Sequence, residues 1–224
     1  MTTAIIGTGR IGSQVALRLA RGGEEILVAE SNFESAQKSA QELGLGIRAG
    51  TVEQVIDEAD TVVFATMFPV TQQLLQEHSS QLVDKVVVDP SNNFRAADDD
   101  RAVSANPEGS SAGQQNAALL LPQGVHFVKA LGTMSAANRG KETTGSGEKV
   151  AQLFATDDPV AQERITHLLR LGGWEPVKAG GLDIASRIEV GGAWHDRGGL
   201  SGRILSKEEA EKLVSQPLAE ESAR

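Results

Sequence analysis

The sequence predicts an α/β protein: a doubly wound, mostly parallel sheet with helices on both faces. Three observations carry that prediction. Short apolar runs alternate with longer amphipathic stretches from the first residues onward. Runs such as Thr61-Val62-Val63-Phe64-Ala65 are apolar without interruption, which a strand tolerates only when both faces are covered. Right-handed crossovers between parallel strands then place successive helices on opposite sides of the sheet.

The elements follow in order. Residues 3–6 form a strand that breaks at Gly7, and Ile11, Val15 and Leu19 stand at helical spacing in a helix over 11–21 that Gly22-Gly23 stops. A strand at 26–29 leads to a polar helix at 34–43 ended by Gly44, then a weak strand at 47–49 and a short helix at 51–58. Strands at 61–65 and 85–88 flank a helix at 71–82. Residues 94–109 read as a polar loop containing Asp98-Asp99-Asp100 and Pro107, followed by a helix at 111–121 and a strand at 125–130. Gly and Thr make 138–149 an exposed loop. A strand–helix–strand unit occupies 150–156, 159–171 and 175–178, with Pro159 at the first helical position. Beyond Gly180-Gly181 the apolar density falls: a helix at 182–189, a glycine-rich stretch at 191–202, and a helix opened by the capping box Ser206-Lys207-Glu208-Glu209 and ended by Pro217. We expect one dinucleotide-binding domain over 1–181 and an extension over 182–224 that contacts substrate or a second subunit.

Composition narrows the chemistry. The 224 residues contain no Cys, which excludes a disulfide framework, a thiolate metal site and a cysteine nucleophile. There is no Tyr, which removes a tyrosine proton donor. Thirty acidic residues against 21 Lys plus Arg give a net charge of -9, the opposite of a nucleic-acid footprint. The longest apolar runs, such as Ala117–Leu121, fall far short of the roughly 20 residues that span a bilayer. With no basic leader before the first strand, a cytoplasmic location is expected. No spacing of His, Asp or Glu matches a metal site.

Gly7-Thr8-Gly9-Arg10-Ile11-Gly12 is G-x-G-x-x-G placed between the first strand and an amphipathic helix, the context in which this pattern marks a Rossmann dinucleotide-binding fold. Gly7 allows the tight turn, Gly9 lets the backbone approach a pyrophosphate, and Gly12 lets helix and strand pack closely. The helix N-terminus offers free N–H groups to the phosphates. Arg10 either contacts a phosphate or faces solvent. Glu30 closes the second strand; an acid there accepts from the ribose 2′-hydroxyl and repels a 2′-phosphate, which points to NAD, unless it is simply a solvated strand-end acid. Ser31 and Asn32 beside it are able to donate to a phosphate.

Ligands of a doubly wound sheet bind beyond the carboxyl ends of its strands. Thr66-Met67-Phe68-Pro69 and the segment containing Ser91-Asn92 are therefore expected on the nicotinamide side. Met67, Phe68 and Pro69 would form an apolar wall and Ser91 and Asn92 polar contacts, with Phe68 equally suited to the core. After the sixth strand, Gly132-Thr133-Met134 lies in a small-residue loop suited to a planar ligand or to close packing. Of the four His, His78, His126 and His167 read as structural or solvated, and His195, between Trp194 and Asp196, is the one with a possible substrate or interface role.

Taken together, residues 7–12, 66–69, Val128 to Ala136 and the 152–181 unit with Arg187 resemble the NADPH-dependent reductases of the 5-deazaflavin coenzyme F420. They are similar also to the oxidoreductase domain of the six-transmembrane metalloreductases. The resemblance implies hydride exchange between nicotinamide C4 and deazaflavin C5, with Gly9, Arg10 and Ile11 on the pyrophosphate, 66–69 bordering the nicotinamide and 132–136 facing the deazaflavin. It implies NADP as cofactor and a homodimer acting on a small redox molecule, a deazaflavin or a flavin. Where NADP-using members carry a Ser-Arg pair, this chain has Glu30-Ser31, and a glycine-rich turn follows Arg187 in place of an apolar helix. Ring-to-ring hydride transfer needs positioning more than acid–base groups, so no catalytic side chain is assigned beyond the positioning loop Gly132, Thr133 and Met134. The competing readings are a dinucleotide-binding redox sensor and a small imine or carbonyl reductase related to pyrroline-carboxylate reductase.

Overall fold

A computed structural model describes residues 1–97 and 101–216; Asp98-Asp99-Asp100 and the expected stop at Pro217 lie outside the described residues. The first half runs β1 (Thr2–Ile6), α1 (Gly12–Arg21), β2 (Glu25–Ala29), α2 (Phe33–Leu43), β3 (Arg48–Ala49), α3 (Val52–Glu58), β4 (Thr61–Phe64), α4 (Phe68–Glu77) and β5 (Val86–Asp89). The second half adds a hairpin of β6 (Phe94–Ala96) and β7 (Ala102–Ser104), then α5 (Ala112–Leu120), β8 (His126–Lys129), α6 (Ala136–Arg139), β9 (Ala151–Ala155), α7 (Pro159–Leu171), β10 (Glu175–Gly180), α8 (Ala185–Ile188) and α9 (Lys207–Ser215).

The main sheet has the order β10-β9-β8-β5-β4-β1-β2-β3. All its pairs are parallel except β8 with β9, which meet only at Lys129 and Ala155. Since β9 runs against β8 and joins it by its last residue, its earlier residues project past the carboxyl end of β8.

Strand alternation explains the apolar runs. Ile5, Val63 and Val88 pack on one face with Val15 and Leu19 of α1 and Ile165 and Leu168 of α7. Ile6, Val62, Phe64 and Val87 pack on the other with Val55 and Ile56 of α3, Leu75 of α4 and Leu120 of α5. Each large apolar side chain buried this way contributes roughly 1.5–3 kcal/mol. A third cluster joins Leu153 and Val177 to Ile188, Trp194, Leu205 and Ala210, so α9 packs on the β9–β10 wing. Its Ser206–Glu209 capping box is formed.

Four expectations are corrected. The helix expected at 71–82 starts at Phe68 and yields at His78 to a 3-10 turn over Ser79–Leu82, because Pro69 suits a first helical turn. Residues 94–109 contain the β6–β7 hairpin; its strands are short and largely exposed, so the pairing left no apolar alternation to read. The stretch 138–149 opens inside α6, with Asn138 and Arg139 buried and Asn138 donating to Asp196 Oδ2 at 2.7 Å. The helix expected at 182–189 is a 3-10 turn (Leu182–Ile184) followed by the short α8.

Candidate functional site

The β1–α1 turn is built by its glycines. Gly7 has φ +90°, and a Cβ there would stand 2.9 Å from Ala65 O of the neighbouring strand end. A Cβ on Gly12 would overlap Gly7 O, so only glycine closes the turn. Gly9 differs: beyond its chain neighbours, a Cβ on it would meet no atom of the described residues within 4 Å. It lines a cavity of ≈ 600 Å³ together with Arg10, Ile11, Glu30, Thr66 and Met67. The space that glycine leaves open at this position is therefore a cleft rather than core, and an extended phosphate-bearing group fits it.

Glu30 is fastened to this turn. Its Oε1 accepts from the Thr8 backbone N–H at 2.8 Å and from the Thr8 hydroxyl, which also lies 2.8 Å from Ser39 Oγ. Oε2 has no hydrogen-bond partner among the described residues. The carboxylate is thus held in place by one oxygen and open on the other, at the cavity edge. Ser31 also lines the cavity, whereas Asn32 caps α2, its Oδ1 accepting from Ser35 N at 2.9 Å. Arg10 is exposed and faces the cleft.

The remaining predicted residues divide. Thr66 and Met67 line the cavity, and Met67 is 61% exposed. Phe68, 6% exposed, is turned into the core, because the early start of α4 rotates it inward; Pro69 sits on the exposed first turn. Ser91 is likewise turned inward: its carbonyl accepts from Lys129 Nζ and its hydroxyl lies 3.2 Å from Asn116 Nδ2. Asn92 bridges two loops, with Nδ2 donating to Gly132 O at 3.0 Å and Oδ1 accepting from Val190 N at 2.9 Å. A Cβ on Gly132 would overlap Pro90 O. The side chains of Thr133 and Met134 are buried, Thr133 Oγ1 donating to Gln152 Oε1 at 3.0 Å, so neither is presented to a ligand.

Sequence reasoning missed a buried charge cluster beneath this loop. Lys129 Nζ donates to Asp89 Oδ2 at 3.0 Å and stands 3.6 Å from Glu189 Oε1. Glu189 in turn accepts from the Ala112 and Gly113 N–H groups at 2.9 and 2.8 Å, capping α5. The available signal was a lysine and an aspartate, each ending an apolar strand. His78 and His126 are structural, pairing with Gln81 Oε1 at 2.8 Å and Asp158 Oδ2 at 2.7 Å.

Asp196 is the most strongly perturbed carboxylate. Burial opposes its ionisation, but contacts with His195, Ser135 and Asn138 outweigh that and hold it well below the usual carboxylate range. Burial pushes the neighbouring Arg139 guanidinium down to about 10, against the pull of Asp196. A depressed folded-state carboxyl stabilises fully above its unfolded pKa near 4 and loses that contribution as pH falls through the folded value. We expect Asp196→Asn to cost ~1–3 kcal/mol at neutral pH. That gap should narrow progressively as the pH falls below about 4 in chemical-denaturation titrations; a gap that stays constant as the pH falls through that range would contradict the ionised assignment.

Residues 2–93 match the family described as NADP oxidoreductase, coenzyme F420-dependent. An F420-dependent NADP reductase of Methanothermobacter thermautotrophicus is 28% identical over 200 residues, 84% of this chain and 85% of that protein. Among solved structures, SMa0349 of Sinorhizobium meliloti superposes with a TM-score of 0.77 at 22% identity, covering 92% of this chain and 96% of that one. A protein of Arthrobacter sp. FB24 named as an F420 dependent NADP-reductase gives 0.71 at 22% identity, covering 83% and 87%. Both share the fold.

Proposed function

From a chain whose residues 2–93 match the F420-dependent NADP oxidoreductases, we propose an enzyme that transfers hydride between a nicotinamide dinucleotide and a 5-deazaflavin of the F420 class. The observation that carries this reading is the cleft at Gly9, open where a Cβ would point and bordered by the tethered Glu30. The relative's name supports the deazaflavin as acceptor.

Gly7 and Gly12 shape the turn, Gly9, Arg10 and Ile11 hold the pyrophosphate, Glu30 and Ser31 meet the adenosine ribose, and Thr66 and Met67 border the nicotinamide. When bound, the dinucleotide supplies a hydride at nicotinamide C4 and the deazaflavin accepts it at C5. The protein's part is to hold both rings in register and to keep water out. With neither Tyr nor Cys in the chain, this division of labour suits its residues. The relatives are named for NADP; Glu30, with an Oε2 unpartnered among the described residues, favours the ribose diol of NAD. Residues 182–224 serve as an extension to the acceptor side in a cytoplasmic homodimer. Among the described residues no helix is long and apolar enough to cross a membrane.

Stopped-flow absorbance tests the reading. Mixing the protein and reduced dinucleotide with F420 should bleach the nicotinamide band and the deazaflavin band together. Tight dinucleotide binding without oxidation by any deazaflavin or flavin would instead support a redox sensor.

A further inference from the structure

The glycine-rich stretch after α8 has a role in the geometry of the site. We propose that residues 189–202 form a clasp that shapes the loop 131–135, with His195 and Asp196 as positioning residues for the acceptor. The proposal rests on the hydride-transfer reading for the identity of that acceptor.

The loop needs holding. Leu131 is buried with φ +61°, a left-handed conformation that a leucine keeps only when its surroundings impose it. The restraint comes from two directions onto one atom. Gly132 O faces Asn92 Nδ2 at 3.0 Å and His195 Nε2 at 3.1 Å. A carbonyl oxygen only accepts, so Nε2 carries a proton; Nδ1 lies 2.9 Å from the Arg197 N and 3.1 Å from Asp196 Oδ1. Three residues further along the loop, both Asp196 oxygens stand 3.0 Å from Ser135 N, and Oδ2 also accepts from Ser135 Oγ at 2.6 Å and Asn138 Nδ2 at 2.7 Å.

The clasp is itself anchored. Glu189 at its start is fixed to α5 and Lys129, and Val190 N is bound by the same Asn92 that reaches Gly132. Its glycines let the turn fold tightly on itself: a Cβ on Gly192 would overlap Ser186 O, and one on Gly198 would overlap Gly192 O. His195 is 1% exposed, so it acts on the loop and does not itself reach a ligand. Buried polar groups with satisfied partners specify one arrangement of the backbone they touch. Here that backbone leaves the carboxyl end of β8, where this fold presents its ligands.

The test compares wild type, His195→Ala, His195→Gln and Ser135→Ala. In His195→Ala, amide hydrogen exchange over 131–135 should rise about ten-fold while that over 5–13 stays unchanged. The KM for F420 should rise about ten-fold with the dinucleotide Kd within about two-fold of wild type. His195→Gln, which keeps a donor at the Nε2 position, should restore both. Should His195→Ala fail to fold, Ser135→Ala removes a single hydroxyl and should move exchange and KM the same way by a smaller factor. Unchanged exchange over 131–135 in both folded variants, or a rise spread equally over 5–13, overturns the clasp. Should wild type transfer no hydride to F420, the functional reading falls, and the exchange data alone decide whether the clasp exists.

Discussion

Gly9→Val should abolish dinucleotide binding and leave the fold intact. Beyond its chain neighbours, no atom of the described residues lies within 4 Å of the position its Cβ would take, so they present nothing to clash with. The side chain would instead fill the cleft that a pyrophosphate requires. We expect the affinity for reduced dinucleotide, measured by calorimetric titration, to fall by about two orders of magnitude or more, roughly 3 kcal/mol, with the melting temperature within about 2 °C of wild type. Gly12→Val is the internal contrast. Its Cβ would overlap Gly7 O and stand 3.1 Å from Ala65 Cβ, inside the closed turn. Backbone must then move, and a loss of at least ~3 kcal/mol of stability is expected. If Gly9→Val binds normally, the cleft is not the dinucleotide site; if the two variants behave alike, the distinction between a ligand-facing and a packing glycine fails.

The second large effect is expected at Glu30. Tethering by Thr8 fixes one carboxylate oxygen and leaves the other at the cavity edge, where Ser31 and Asn32 bring no positive charge. A 2′-phosphate placed there would meet a like charge, worth roughly 3 kcal/mol at about 5 Å and an effective dielectric near 20. Partial exposure reduces that at physiological salt. Wild type should therefore bind NADH at least about ten-fold more tightly than NADPH, and Glu30→Gln, which retains an oxygen for Thr8, should shift the ratio about ten-fold toward NADPH. Paired titrations with the two dinucleotides decide it. Tighter binding of NADPH by wild type would refute the electrostatic argument while leaving hydride transfer in place.

Much of the sheet is legible in the sequence, since its signals are local. Continuous apolar strands, helical spacing at Ile11, Val15 and Leu19, the proline that opens α7 and the capping box that opens α9 each lie within a few residues. The cleft is legible for the same reason: the three glycines and Glu30 follow from the chain's passage through β1, α1 and β2. Phe68 and Ser91 show the limit. Both follow strands that end at the site, yet a helix starting one turn early rotates the first into the core, and Lys129, from a different strand, draws the second inward.

The sequence by itself determined the mostly parallel fold and the glycine turn, because a periodicity of two or 3.6 and a six-residue turn are properties of neighbouring residues. Only the tertiary structure decided what surrounds the loop 131–135. The bonds from His195 to Gly132 and from Asp196 to Ser135 join residues 63 and 61 apart. The reversed β9, met by β8 only at Lys129 and Ala155, carries the wing on which α9 packs. Such contacts depend on how the whole chain closes, and no local pattern encodes which distant partner a buried His, Asp or Lys will meet.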